Sequence, residues 1–157
     1  MDNIAYPNPS SAAHYAKVRA HTEALSTALS AEDQCVQSMP DASPTKWHRA
    51  HITWFFEQFV LTAFVPSYRV FDPDFGFLFN SYYDAVGARH PRPMRGLLTR
   101  PPSARIAAYR AHVDAAMATW IDALPADLVE LGLQHEQQHQ ELLLTDILHT
   151  FAQNSLA

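Results

Sequence analysis

"QHEQQHQELLLTDILH", Gln134 to His149, carries the pattern on which the reading of the whole chain turns. Within it, His135-Glu136-Gln137-Gln138-His139 spells the H-E-x-x-H of zinc peptidases. On a helix, residues four apart differ in direction by only about 40°, so the two imidazoles point the same way from consecutive turns. Leu128, Leu131, Leu142 and Asp146 fall on the same stripe, which predicts an inward-facing surface. Glu136 lies about 100° round the helix and Glu141 further still, outside that stripe. Paired imidazoles in an apolar stripe are costly unless something satisfies them. Two neutral rings at this spacing can share one transition-metal ion. The plainer alternative is that each is hydrogen-bonded to a neighbouring helix. Asp146 is placed either to accept the second ring N–H of a ligand histidine or to pair with another helix.

A peptidase needs a third ligand downstream. After His139 the chain offers Glu141 but no later Glu, and Leu142 and Thr145 stand where the extended motif departs from this sequence. The peptidase reading therefore fails for lack of ligands, and the third ligand must come from upstream. In "SPTKWHRAHITWFFEQF", His51 shares a helix face with Trp47, Trp54, Phe55 and Gln58. In a helical bundle, one histidine on a second helix can meet an i, i+4 pair, all projecting inward. His51 is the candidate third ligand and His48, one turn back and about 60° off, its rival. Three imidazoles on one side of an ion leave open positions for a substrate, and zinc and non-haem iron(II) both suit them. His14, His21, His90 and His112 show no such pattern, and His149 reads as structural or as a support behind the ligands.

Apolar periodicity predicts four long helices. The first runs from Ser11 to Leu29 on a stripe of Tyr15, Val18, Thr22, Leu25 and Leu29. Ser30-Ala31-Glu32-Asp33 then reads as the start of a short helical turn. The second begins with Ser43 as cap and Pro44 in the first helical position and ends near Phe64, before Pro66. The third starts at Ser103 as cap, with Ile106, Tyr109, Val113, Met117, Trp120 and Leu124 inward. The fourth runs from Pro125 to Phe151. Glycines are few, Asn-Gly hairpin signals are missing, and no strand pattern competes. The fold class is all-α, a four-helix bundle.

Residues 66–102 separate the second and third helices, far more than the ~2–8 residues of an ordinary bundle connection. This loop is aromatic (Phe71, Phe75, Phe77, Phe79, Tyr82, Tyr83), with a short helix expected over Phe77–Val86, and then turns to proline and arginine in "ARHPRPMRGLLTRPP". It reads either as a solvated, proline-stiffened loop or as an anion site in which Arg92 and Arg95 grip a carboxylate.

Composition bounds the rest. The 157 residues suit one domain, 1–157, with 48% hydrophobic and 17% charged residues. A net charge of −5 argues against nucleic acid as a partner. Cys35 is the single cysteine, so no internal disulfide forms and a reducing, cytoplasmic setting is expected. The N-terminus shows no leader pattern and no apolar run approaches membrane-spanning length.

"MPDASPTKWHRAHITWFFE", "LFNSYYDAVGARHPRPMRG" and "LQHEQQHQELLLTDILH" together resemble the N-terminal region of the ergothioneine sulfoxide synthases, a DinB-like four-helix fold, from about Tyr15 to Asn154. The resemblance implies Fe(II) as cofactor, bound by His51, His135 and His139, and Arg92 and Arg95 on the carboxylate of the thiol substrate. It implies O₂-dependent joining of the sulfur of γ-glutamylcysteine or cysteine to hercynine, with oxidation to a sulfoxide. Family members continue into a formylglycine-generating-enzyme-like domain that supplies the catalytic tyrosine. This chain stops at "FAQNSLA", with 152–157 as the expected start of a linker, so the resemblance implies an isolated metal-binding half whose partner domain lies in cis or on a separate chain. Two other functions compete: a stand-alone DinB-like zinc-dependent thiol transferase, and a non-enzymatic helical module docking a partner through its aromatic loop.

Overall fold

A computed structural model describes residues 11–156; the N-terminal stretch read above for a leader lies outside the described residues, as does Ala157. Among the described residues the secondary structure is helical throughout, with no strand. Helix α1 spans Ser11–Ser26 and α2 Thr45–Phe55; α2 runs on through a π-helical turn, Phe56–Leu61, into α3, Thr62–Phe64. The loop contributes α4, Phe75–Leu78, and a 3₁₀ segment, Arg92–Leu97. Helix α5 spans Ser103–Trp120 and α6 Ala126–Ala152. No described helix is long and apolar enough to cross a membrane.

The central helix is α2, and every residue of it is buried. It packs against α5 and α6, while α1 lies along α6. Trp54, Phe56, Leu61, Ile106, Tyr109, Val113, Met117 and Leu133 fill the core between them. Helix α1 stops at Ser26, three residues short of the stripe's end at Leu29. The cause is the next turn. The Ser30 N–H donates to Asp33 and the Asp33 N–H donates to the Ser30 hydroxyl, a reciprocal cap that starts the 3₁₀ turn Asp33–Cys35.

Helix starts also differ from the serine caps expected. Pro44, Pro102 and Pro125 are themselves the capping residues, with extended ψ and carbonyls that accept the first helical bonds, from His48, Ile106 and Val129. Ser43 is unavailable as a cap because its hydroxyl accepts from Arg95 and its N–H donates to Asp146. Ser103 is the first helical residue of α5, and its buried hydroxyl has no hydrogen-bond partner. The loop helix lies at Phe75–Leu78 rather than Phe77–Val86, because Phe75 and Phe79 are the ring anchors that enter the core. Asn80, fully buried, then holds the next turn by donating to the carbonyls of Tyr83 and Gly87.

The largest departure concerns the rotation of α6. Its buried face carries Val129, Gly132, Leu133, Glu136, Gln140, Leu143 and Ile147. Leu131 and Leu142, expected inward beside the histidines, are 54% and 41% exposed. Glu136 is the reason. Its carboxylate is fully buried and accepts from Arg19 at 3.0 Å, Thr22 at 2.6 Å and Arg110 at 3.2 Å. A buried carboxylate with two guanidinium partners cannot be turned outward without stranding them. Leucines lose less by exposure, so the helix rolls to keep Glu136 inside. His135 and His139 therefore sit half-buried at the margin of the core, facing α2.

Candidate metal centre

His51 comes from the middle of α2, and His135 and His139 from adjacent turns of α6. One ring nitrogen of each lies within 4.8 Å of the others. The ring centroids form a near-equilateral triangle, 4.9 Å from His51 to His135, 4.7 Å from His51 to His139 and 4.6 Å from His135 to His139. Three imidazoles this close can hold one metal ion. His48, the rival third ligand, sits behind His139 instead, with Nδ1 to Nδ1 at 2.9 Å.

The surroundings favour ligand behaviour. The His51 Nδ1 lies 2.6 Å from the Phe79 carbonyl, which can only accept, so this nitrogen carries the proton and Nε2 is bare. The His51 ring is stacked between Trp47 at 4.6 Å and Trp54 at 5.4 Å, which fixes its plane. Phe55 lies against His135 with centroids 4.8 Å apart. The Nδ1 of His135 is buried and has no hydrogen-bond partner, a cost that protein contacts leave uncompensated. Burial holds all three rings neutral, as ligands must be. It pushes His135 down to about 4 from the ordinary 6.5, and lowers His51 and His139 too, helped by the neighbouring imidazoles. The donor set fits a borderline ion such as zinc or iron(II).

Two cavities meet at this cluster. One, of about 430 Å³, is polar and brings His51, His135 and His139 together with Ser43, Tyr82, Arg92, Arg95 and Asp146. The other, of about 600 Å³, is walled by Phe55, Phe59, Tyr83, Leu128 and Leu131 and reaches His135. Arg92 and Arg95 thus share a pocket with the histidines although about 40 residues separate them in sequence from either helix motif. Arg92 donates to the Tyr82 hydroxyl at 2.6 Å and to the Asp41 carbonyl. Arg95 is 4% exposed and lies flat on the indole of Trp47, 3.4 Å from the ring centroid. It donates to the Ser43 hydroxyl at 2.9 Å, its Nε has no partner, and no carboxylate of the described residues forms an ion pair with it. Burial, and then Arg92 beside it, push Arg95 down to about 10. A buried guanidinium with a donor to spare has the chemistry to pair with an anion.

Sequence reasoning missed three features. Glu136 lies off the histidine stripe, yet its buried carboxylate fixes the rotation of α6. His48 and Asp146 form a chain behind His139, with His48 Nε2 to Asp146 Oδ2 at 2.7 Å, a connection that spacing along the sequence does not reveal. Tyr83 lines both cavities, and its aromatic neighbours gave no signal that it would. His149 pairs with the Ser38 hydroxyl, and His112 and His90 accompany backbone carbonyls, away from the triad.

No curated protein matches the chain significantly. The model of the DinB superfamily matches residues 14–143, which include most of α1, all of α2 and α5, and the histidine turns of α6. The chain belongs to the DinB superfamily, a helical fold in which a three-histidine cluster of this kind can hold a metal.

Proposed function

We propose that this chain is the iron(II)-binding part of an O₂-dependent sulfoxide synthase that joins the sulfur of γ-glutamylcysteine or cysteine to hercynine in ergothioneine biosynthesis. The observation that supports it best is the underused Arg95 in the same pocket as three converging imidazoles. His51, His135 and His139 would hold the metal. Iron(II), when bound, supplies the redox chemistry that couples dioxygen to oxidation of the sulfur. Arg95 and Arg92 orient the thiol substrate by its carboxylate, with Tyr82 and Ser43 fixing the guanidinium planes. Trp47, Trp54 and Phe55 are buried around the triad and restrict water there. Turnover calls for a formylglycine-generating-enzyme-like domain, in cis or as a separate cytoplasmic chain, to complete the hercynine pocket.

Cobalt(II) substitution tests the reading. Addition of γ-glutamylcysteine or cysteine to the Co(II) protein should produce a thiolate-to-metal charge-transfer band. Arg95→Met should weaken that response at least tenfold, as loss of a charge-assisted contact does, while cysteamine, which lacks a carboxylate, should respond equally in both proteins. A band that favours cysteamine, or that ignores the arginine, contradicts the proposal. A zinc-dependent thiol transferase is the second reading, favoured by the suitability of three imidazoles for zinc. Oxygen uptake by the Fe(II) protein with thiol, hercynine and the partner domain separates the two.

A further inference from the structure

His139 and His48 meet through their Nδ1 atoms at 2.9 Å, and His48 reaches Asp146 through Nε2 at 2.7 Å. The direction of this chain follows from its far end. Asp146 Oδ2 also accepts the backbone N–H of Ser43 at 2.9 Å, so it is an acceptor carboxylate held in place from two sides. Facing that carboxylate, the His48 Nε2 must carry a proton. A neutral imidazole carries a single ring proton, so with Nε2 facing Asp146 the His48 Nδ1 is the acceptor end. The only hydrogen bond then open to His139 is donation from its own Nδ1. Its Nε2 is then left without a proton, as a metal ligand requires.

We infer that His48 is a positioning residue for the metal centre: anchored by Asp146, it sets the tautomer and ring orientation of His139 and presents the His139 Nε2 to the ion. The inference rests on the three-histidine reading above and deepens it. Each end of the chain lies on α6, with His48 of α2 inserted between His139 and Asp146, so the contact also fixes α2 against the ligand-bearing turns. The three ligands are unequally supported: His51 has the Phe79 carbonyl, His139 has the His48–Asp146 pair, and the His135 Nδ1 has no protein partner. Without His48 the His139 ring can flip and offer either nitrogen, and a fixed ligand becomes a mixture. Carboxylate-supported histidines are a recurrent means of fixing metal ligands; here a second imidazole is interposed.

The test compares His48→Leu, which removes both hydrogen bonds, with His48→Gln, whose amide oxygen can accept from His139 while its NH₂ donates to Asp146. Co(II) affinity by chelator competition, the visible Co(II) spectrum and far-UV circular dichroism are read for each. His48→Leu should bind Co(II) about 10- to 100-fold more weakly, the usual effect of losing such a support, with a changed visible spectrum and unchanged helix content. His48→Gln should recover most of the affinity and the wild-type spectrum. Imidazole ¹⁵N NMR of the metal-free wild type, which does not depend on any variant folding, should show His139 protonated at Nδ1. Wild-type affinity and spectrum in His48→Leu, equal loss in both variants, or an Nε2-protonated His139 each overturn the inference. Failure of the wild-type protein to bind Co(II) is a different result: it removes the three-histidine reading itself.

Discussion

His51, His135 and His139 are a case in which spacing and burial gave complementary information. The i, i+4 pair was legible because helix geometry alone fixes relative direction. His51 was legible because it shares a face with aromatic residues that had to be inside. What spacing could not supply was which of His48 and His51 joins the pair, since the two are separated only by which neighbour the fold brings to each. The same burial makes a prediction about pH. A histidine whose folded pKa is depressed takes up its proton more readily in the unfolded chain. Its contribution to stability is full above the unfolded value near 6.5 and declines as pH falls towards the folded value, about 4 for His135. Burial would raise Glu136, but Arg19 and Arg110 hold it below the ordinary carboxylate range, and it acts in the same direction at still lower pH. The urea midpoint of the metal-free protein should therefore fall between pH 6.5 and 4, and fall less in His139→Leu. A midpoint that is flat in the wild type, or equally steep in the variant, contradicts the assignment.

At the scale of elements, α6 explains both the success and the error of sequence reading. Its existence and length followed from periodicity, but its rotation did not, because a count of leucines gave no weight to one buried carboxylate. Helix α6 closely meets the π-helical turn that follows α2 at Gly132, where an added Cβ would lie 2.6 Å from Phe56 Cε1 and 2.8 Å from Cζ. That ring is fully buried and has nowhere to move. Gly132→Ala should destabilise the protein by about 1–3 kcal/mol through overpacking, despite a helix-propensity gain of about 1 kcal/mol. Stabilisation in a denaturant titration would mean that the contact is loose. Glu136→Gln should cost about 3–5 kcal/mol, since Arg19 and Arg110 lose their buried counter-charge. It should also loosen the metal site, because the roll of α6 sets where His135 and His139 point. A variant with wild-type stability would show that the carboxylate does not anchor the helix. The π-helical turn Phe56–Leu61 left no sequence signal, since no proline or glycine marks it.

For the molecule as a whole, the long segment 66–102 is the part least readable in advance and most informative afterwards. Its prolines and arginines suited a solvated loop as well as a binding site. Long-range contacts dock it on the bundle: Phe75 and Phe79 anchor the loop in the core, Glu57 accepts from the Tyr68 and Tyr109 hydroxyls and the Phe71 N–H, and Lys46 donates to the Leu98 carbonyl. These hold the 3₁₀ segment Arg92–Leu97 over Trp47 and carry two arginines to the mouth of the histidine cluster. The bundle thus provides the imidazoles and the loop provides the cations, and the polar cavity exists only where they meet. Anaerobic titration of the metal-free protein with Fe(II) addresses this account most directly. It predicts one tightly held equivalent in the wild type, and none in His51→Ala, His135→Ala or His139→Ala proteins that retain their helix content. Iron retained undiminished by the triple-alanine protein, or never taken up by the wild type, would contradict it.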